Sequence, residues 1–199
     1  MVGHVGFAFL TLGAIAQQLS IQVDNNGSIV NFFSYFTNLS NIFAALVLVA
    51  SAPYLAGNRK TTAGFDVIRG TSVVCMVLVG IVFSVLLRDV DLGHLQPWVN
   101  FVLHYLMPVV IVLDWVAWPP QRKLQTRSIK YWMIFPLLYV AYILVRGAQT
   151  DWYPYPFLNP AKSGGYGGVT AYCIGILFVF LASSWVLLWA GNRLRSKHR

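Results

Sequence analysis

Two polar side chains in otherwise apolar stretches, Thr37 and His104, are of types that together could cleave an ester. A threonine hydroxyl is a poor nucleophile alone, but an imidazole within hydrogen-bond reach can take its proton as it attacks a carbonyl carbon. The side-chain amides of Asn38 and Asn41 could then donate hydrogen bonds to the developing oxyanion. The pair therefore predicts nucleophilic catalysis on an ester bond.

Polar residues near this pair recur at intervals of three and four, the spacing of one face of a helix. The first stripe contains Asn31, Ser34, Thr37, Asn38 and Asn41, and the second contains Asn100, His104, Pro108, Ile111 and either Asp114 or Trp115. The predicted lining of a polar cavity is Ser34, Asn38, Asn41 and Asn100. Small polar residues also hold membrane helices together, so a purely structural role for both stripes stays open.

Two cations are predicted near the same level of the membrane. Arg88 and Arg146 each end an apolar run, and Tyr142 shares a helical face with Arg146. A cation there would suit the carboxylate or phosphate of an anionic lipid. The alternative is that both arginines extend toward the membrane surface or pair with Asp89 or Asp91.

Asp114 lies ten residues beyond His104, or ~15 Å along a helix, so we expect no direct hydrogen bond between them. Whether Asp114 orients a catalytic group through water or anchors the far half of the protein stays open. The other histidines, His4, His94 and His198, are interpreted as having no special role. Because no second intramembrane histidine is evident at the depth of His104, neither a metal site nor a cofactor is predicted.

The segments that must position these residues are six apolar runs. The 199-residue chain is 57% apolar and 10% charged, a composition far from that of soluble proteins. Crossing ~30 Å of hydrocarbon takes about 20 helical residues. Runs of suitable length are 2–21, 29–55, 67–87, 98–118, 131–146 and 169–190. The prediction is an all-α, single-domain integral membrane protein, a bundle of six transmembrane helices.

The distribution of Lys and Arg predicts the orientation of these helices. One set of eleven lies between runs two and three, between runs four and five, and after run six: Arg59, Lys60, Arg69, Arg122, Lys123, Arg127, Lys130, Arg193, Arg195, Lys197 and Arg199. The other side has only Arg88, Arg146 and Lys162. By the positive-inside rule, both termini are expected in the cytoplasm. The net charge of +8 is thus explained by topology, and membrane lipids rather than nucleic acid are the expected partners.

This topology predicts that Thr37 and His104 lie at similar depths. The second and fourth predicted helices run in the same direction, and each residue lies within about eight residues of its helix start, in the outer leaflet. Segment 147–166, rich in aromatic, proline and glycine residues, is too long for a simple tether and is expected to fold over this end. The reactive pair is therefore expected beneath this loop.

Segments 34–39 and 103–108, together with Asp114, resemble the FAR-17a/androgen-induced-gene family of multispan membrane proteins. They are most similar to its threonine hydrolases, which include the androgen-dependent TFPI-regulating protein. The resemblance implies hydrolysis of fatty acid esters of hydroxy fatty acids, with Thr37 as nucleophile and His104 as base. Asp114 stands where the family commonly has Glu, and Tyr105 where a threonine commonly follows the histidine. The Tyr-Pro-Tyr-Pro-Phe run at 153–157 is similar instead to a group of bacterial six-span proteins, which implies a bacterial inner membrane.

The leading hypothesis is therefore a lipid ester hydrolase within the membrane. A non-catalytic protein that binds lipid or quinone, or a small transporter, is the alternative, and a structural membrane protein without a small ligand is a third. A ring nitrogen of His104 within ~3 Å of Thr37, or one water away, would favour catalysis. The oligomeric state and the natural substrate are not indicated by the sequence.

Overall fold

In the computed structural model, residues 2–57, 60–91 and 93–197 are described, and every regular element among them is a helix. The α-helices are α1 Val2–Asp24, α2 Ile29–Phe32, α3 Phe36–Leu55, α4 Ala63–Val82, α5 Pro97–Phe101, α6 Met107–Ala117, α7 Ser128–Thr150, α8 Pro160–Ser163 and α9 Gly165–Lys197. Three of the residues named for charge or as histidines, Arg59, His198 and Arg199, lie outside the described residues.

Among the described residues, six helical stretches are long and apolar enough to cross a membrane, and this confirms the predicted all-α, multi-pass fold. They are Gly3–Asp24, Phe36–Tyr54, Ala63–Leu87, Pro97–Ala117, Ser128–Thr150 and Gly165–Arg195. The last two are longer than predicted because backbone hydrogen bonds continue past the polar residues that interrupt an apolar run. The placement of both termini in the cytoplasm stays a prediction.

The prediction of one continuous helix over 29–55 is wrong, because the chain leaves the helical conformation between α2 and α3. The Ser34 hydroxyl donates to the Val30 carbonyl at 2.7 Å, a local bond of the kind that competes with regular helix. Tyr35 is extended, with φ −80° and ψ 127°, so a new helix starts at Phe36. Thr37 consequently lies in the first turn of α3 rather than inside a long helix.

Two membrane helices contain a wider π-helical turn on the same side of the bundle. Phe83–Leu87 continues α4, and Val102–Leu106 joins α5 to α6. Pro108 lacks an N–H and cannot donate to the carbonyl of His104, while the Met107 N–H donates five residues back to Val102. Gly80 brings α4 close to this turn, since a Cβ there would lie 3.2 Å from the Pro108 ring. Such turns recur at functional sites.

The long segment after α7 folds over one end of the bundle, as predicted. Three of its buried residues, Tyr155, Phe157 and Leu158, pack with Phe83 and Leu87 of the turn that continues α4 and with residues of α7 and α9. Close approach depends on a glycine: any Cβ at Gly147 would overlap the ring of Tyr153. We call this the loop end, and the opposite end, with the connection 118–127, the basic end.

Candidate active site

Thr37 lies at the loop end, where its hydrogen-bond partner is a tyrosine of the covering segment. The residue is buried, and its backbone N–H donates to the Tyr155 hydroxyl oxygen at 3.3 Å. The Thr37 hydroxyl lies 3.5 Å from the same oxygen. The phenol oxygen accepts from the backbone, and either hydroxyl can be the donor in the contact between the two side chains.

Tyr155 is itself held by aromatic neighbours. Its ring stacks on Phe157, with centroids 5.2 Å apart, and meets Tyr35 edge to face at 5.7 Å. Burial raises the pKa of the Tyr155 phenol above its usual value, although the hydrogen bonds with Thr37 act in the opposite direction. The phenol is therefore a neutral hydrogen-bond donor at physiological pH. Sequence reasoning missed this residue, although it expected the Tyr-Pro run to cover this end.

His104 lies in the middle of the π-helical turn and is buried. Its Nδ1 is 3.2 Å from the Asn100 carbonyl oxygen, and since a carbonyl can only accept, Nδ1 carries the proton. Nε2 then holds the lone pair and is the nitrogen able to act as a base. The ring stacks on Phe83 with centroids 4.0 Å apart, which fixes its plane.

Thr37 and His104 line the same cavity but do not hydrogen-bond directly. This polar cavity, of about 440 Å³, is bordered also by Asn38 and by Tyr155 of the covering segment. In the described part of the chain, the bonds of the Thr37 and His104 side chains go to Tyr155 and Asn100. A water or a substrate oxygen in the cavity could connect them.

A second, apolar cavity of about 380 Å³ adjoins the first. Residues of α3, α4, α7 and α9 and of the covering segment line it, and most of them have hydrocarbon side chains. Four residues border both cavities: Thr37, Phe83, Leu87 and Tyr155. The threonine hydroxyl therefore stands at the boundary between a hydrocarbon-lined space and a polar one.

Asn41 has a structural role, and the prediction that it donates to the oxyanion is wrong. Its amide nitrogen donates to the Thr37 carbonyl at 2.9 Å and to the Leu103 carbonyl at 3.1 Å, which uses both N–H groups. These bonds tie the first turn of α3 to the π-helical turn beside His104. Asn38 donates to the Phe32 carbonyl at 2.8 Å and borders the polar cavity, so one of its amide hydrogens stays available.

Ser34 and Asn100 support the site without bordering either cavity. The Ser34 hydroxyl lies 3.0 Å from that of Tyr142, and the Ser34 carbonyl accepts from Tyr139 at 2.9 Å, so this serine joins the helix break to α7. Asn100 acts through its backbone carbonyl on His104, while its side-chain oxygen is buried without a partner among the described residues. The prediction that these two residues line a cavity is wrong, because helix packing turns both side chains into the protein interior.

The two predicted rim arginines do not border the cavities. Arg88 is exposed. Arg146 donates to the Asn31 side-chain oxygen at 2.7 Å and lies over the Trp152 ring, 4.9 Å from its centroid. The alternative that Arg146 pairs with Asp89 or Asp91 is thus wrong, because its contacts among the described residues are Asn31 and Trp152. Its other terminal nitrogen is buried there without a hydrogen-bond partner.

Asp114 belongs to a separate cluster at the basic end. It accepts a hydrogen bond from His4 Nε2 and another from Arg69 at 2.8 Å. Arg69 is counted above with the cations between runs two and three, although residue 69 falls within run 67–87, and the structure places it, buried, in α4. The interpretation of His4 as having no role is also wrong. Only the fold brings it to Asp114, 110 residues away.

Comparison with known proteins identifies a family. The model of the FAR-17a/AIG1-like protein family matches residues 14–188, which is most of the chain. Neither a curated protein nor a solved structure matches. Among the described residues, no group of three or more His, Cys, Asp or Glu side chains could hold a metal ion.

Proposed function

Because the chain belongs to the FAR-17a/AIG1-like family, we propose that it hydrolyses lipid esters within the membrane, with Thr37 as nucleophile and His104 as base. The observation that carries this proposal is the position of Thr37 on the wall shared by an apolar and a polar cavity. An acyl chain would occupy the apolar cavity, and its ester carbonyl would then lie at the threonine hydroxyl. Fatty acid esters of hydroxy fatty acids, with hydrocarbon on both sides of one ester, are the proposed substrate class.

The proposed reaction has two steps. In the first, His104 Nε2 takes the Thr37 hydroxyl proton, directly or through one water, as Oγ1 attacks the carbonyl carbon. The tetrahedral intermediate collapses to acyl-Thr37, and the alcohol leaves with the proton from His104. In the second step His104 deprotonates a water that attacks the acyl carbon. Thr37 regains a proton as the fatty acid departs.

Hydrogen-bond donors for the oxyanion are available around Thr37. The backbone N–H groups in the first turn of a helix have no intrahelical partner, and they carry the positive end of the helix dipole. Asn38 has an amide hydrogen left, and the neutral Tyr155 phenol can donate. These groups support stabilisation of negative charge beside Oγ1.

A second candidate function is non-catalytic binding of a lipid or a quinone, or small-molecule transport. The observation that favours it is that the Thr37 hydroxyl lies against Tyr155 and not against a nitrogen of His104. Under this alternative the two adjoining cavities hold an amphipathic ligand without bond cleavage. Retention of lipid without acylation of Thr37 would identify it.

The test compares Thr37→Ala and Thr37→Ser with a matched control, Thr150→Ala. Thr150 is exposed at the end of α7 and its hydroxyl donates to the Arg146 carbonyl, outside both cavities. We expect Thr37→Ala to abolish turnover of a fatty acid ester of a hydroxy fatty acid and labelling by a fluorophosphonate probe. Thr37→Ser and Thr150→Ala should keep both. Turnover and labelling that persist in purified Thr37→Ala protein would refute the proposal.

Mass spectrometry then separates the two candidate functions. A hydrolase predicts a fluorophosphonate adduct on the peptide that carries Thr37, and intact ester retained by the Thr37→Ala variant. A binding protein predicts the same lipid in wild type and variant, with no adduct. Both measurements use the full chain in detergent.

A further inference from the structure

A third cavity, of about 950 Å³, lies at the basic end. It is bordered by the segment after α3, the segment after α6, and the charged last turns of α9. Its basic lining residues are Lys60, Arg69, Arg122, Lys123 and Arg195. No acidic residue is among the described residues that line it. We call it the basic cavity, and no step of the proposed hydrolysis uses it.

Hydrogen bonds hold one wall of the basic cavity in place. The Thr61 hydroxyl donates to one Asp66 carboxylate oxygen at 2.8 Å, and the Arg122 backbone N–H donates to the other at 3.1 Å. The Thr61 backbone N–H also donates to the Gln121 side-chain oxygen at 2.9 Å. Asp66 is fully buried, so it ties the segment after α3 to the segment after α6.

A reciprocal pair of hydrogen bonds holds α9 against the segment after α6, which also lines the cavity. The Leu124 N–H donates to the Asn192 side-chain oxygen at 2.9 Å, and the Asn192 amide donates back to the Leu124 carbonyl at 2.9 Å. Arg195 follows Asn192 by three residues, about one helical turn, and lines the cavity. The cations therefore border a formed space rather than a loose connection.

Most of the positive charge around this cavity is uncompensated. Arg69 is neutralised by Asp114, but Lys60, Arg122, Lys123 and Arg195 make no ion pair with any residue that the structure describes. The Nε of Arg195 is also buried without a hydrogen-bond partner there. A buried N–H without an acceptor is unfavourable, so an acceptor on a ligand would complete the site.

We propose that the basic cavity binds a phosphate group. Phosphate oxygens accept several charge-assisted hydrogen bonds at once, and the planar guanidinium of arginine suits them. Tyr54, Phe65 and Trp118 also line the cavity, and such aromatic residues favour the headgroup level of a membrane. Basic pockets between membrane helices at the cytoplasmic surface bind anionic headgroups. The phosphate belongs either to such a headgroup or to a soluble ion.

Calorimetric titration of the purified full-length protein in a neutral detergent tests this site. The probes are dioctanoyl phosphatidylglycerol, dioctanoyl phosphatidylcholine and inorganic phosphate. We expect phosphatidylglycerol or inorganic phosphate to bind, and phosphatidylcholine, whose net charge is zero, to bind at least about tenfold more weakly than the better of the two. Saturation by inorganic phosphate alone indicates a soluble ligand, and binding of phosphatidylglycerol alone indicates a lipid headgroup.

The variant is Arg122→Gln with Arg195→Gln, and the matched control is Arg127→Gln with Lys130→Gln. The control residues are exposed at the same end, outside the cavity lining, and both variants lose two charges. We expect at least about tenfold weaker phosphate binding in the first and a change of less than about twofold in the control. Should the double variant not fold, its two single substitutions take its place. Equal losses in variant and control, or no binding of either anionic probe, would overturn the proposal, whatever the result at Thr37.

Discussion

The two ends of the bundle each bury a histidine, and the partners of the two rings differ. At the basic end, His4 Nε2 is bonded to Asp114, which Arg69 also binds. At the loop end, the His104 ring has a single hydrogen bond among the described residues, to a backbone carbonyl, and the residue borders a cavity. Burial is similar at both sites. Each ring has one hydrogen bond among the described residues, so the difference lies in the partner and the surroundings. His4 meets a carboxylate that an arginine also binds, whereas His104 meets a neutral carbonyl and borders the cavity that Thr37 also lines.

The most direct test of the difference between the two sites is to replace each histidine in turn. We expect His104→Gln to lower kcat for ester hydrolysis by about 10²–10⁴-fold, the usual contribution of a general base, with little change in the thermal unfolding midpoint. His4→Gln should do the reverse and lower the midpoint while kcat stays within about twofold. The measurements are turnover and thermal unfolding on the same preparations. An equal loss of kcat in both variants, with unchanged midpoints, would contradict the distinction.

The next largest effect is expected at Asp114, where removal of the carboxylate leaves Arg69 unpaired in a buried position. Asp114→Asn should lower the free energy of unfolding by about 3 kcal/mol, the cost of breaking a buried ion pair. The control is Asp151→Asn, the same change at an exposed position with φ 54°, which asparagine also tolerates. Its effect should be below about 0.5 kcal/mol. An Asp114→Asn protein as stable as wild type would show that the cluster does not support the basic end.

The smallest of these effects concerns the phenol that contacts Thr37. Tyr155→Phe keeps the ring and its stacking on Phe157 but removes the hydroxyl. We expect kcat about tenfold lower, with KM nearly unchanged, since the lost hydrogen bond acts on the reacting hydroxyl. Tyr172→Phe, which removes an exposed hydroxyl outside the cavity linings, serves as the control. A raised KM with unchanged kcat would instead make Tyr155 a binding residue.

The membrane spans could be read from the chain because an apolar run of sufficient length is a local property. The break between α2 and α3 could not be predicted from the sequence in the same way. Ser34 and Tyr35 interrupt a run that is apolar enough to continue, and the break is stabilised by Tyr139, 105 residues from Ser34. Its consequence for the site is large, because it places Thr37 in the first turn of α3, where backbone N–H groups have no intrahelical partner.

The candidate site was only partly predictable, for a similar reason. Residue type identified His104, since an ionisable imidazole inside an apolar stretch is unusual. Thr37 was identified because its hydroxyl is expected at a similar depth, where an imidazole could activate it. Residue type also suggested Asn41 as an oxyanion donor, but its N–H groups are taken by two backbone carbonyls. Which donors are occupied depends on how the helices pack.

By itself, the sequence determined that this chain is an all-helical membrane protein with six spans, and which of its side chains are able to do chemistry. Tertiary structure alone decided that Tyr155 contacts Thr37 across 118 residues, that His4 meets Asp114, and that an apolar and a polar cavity share one wall. The physical reason is that hydropathy and reactivity belong to single residues and short segments. A cavity and a free lone pair exist only after distant segments have packed and satisfied one another's hydrogen bonds.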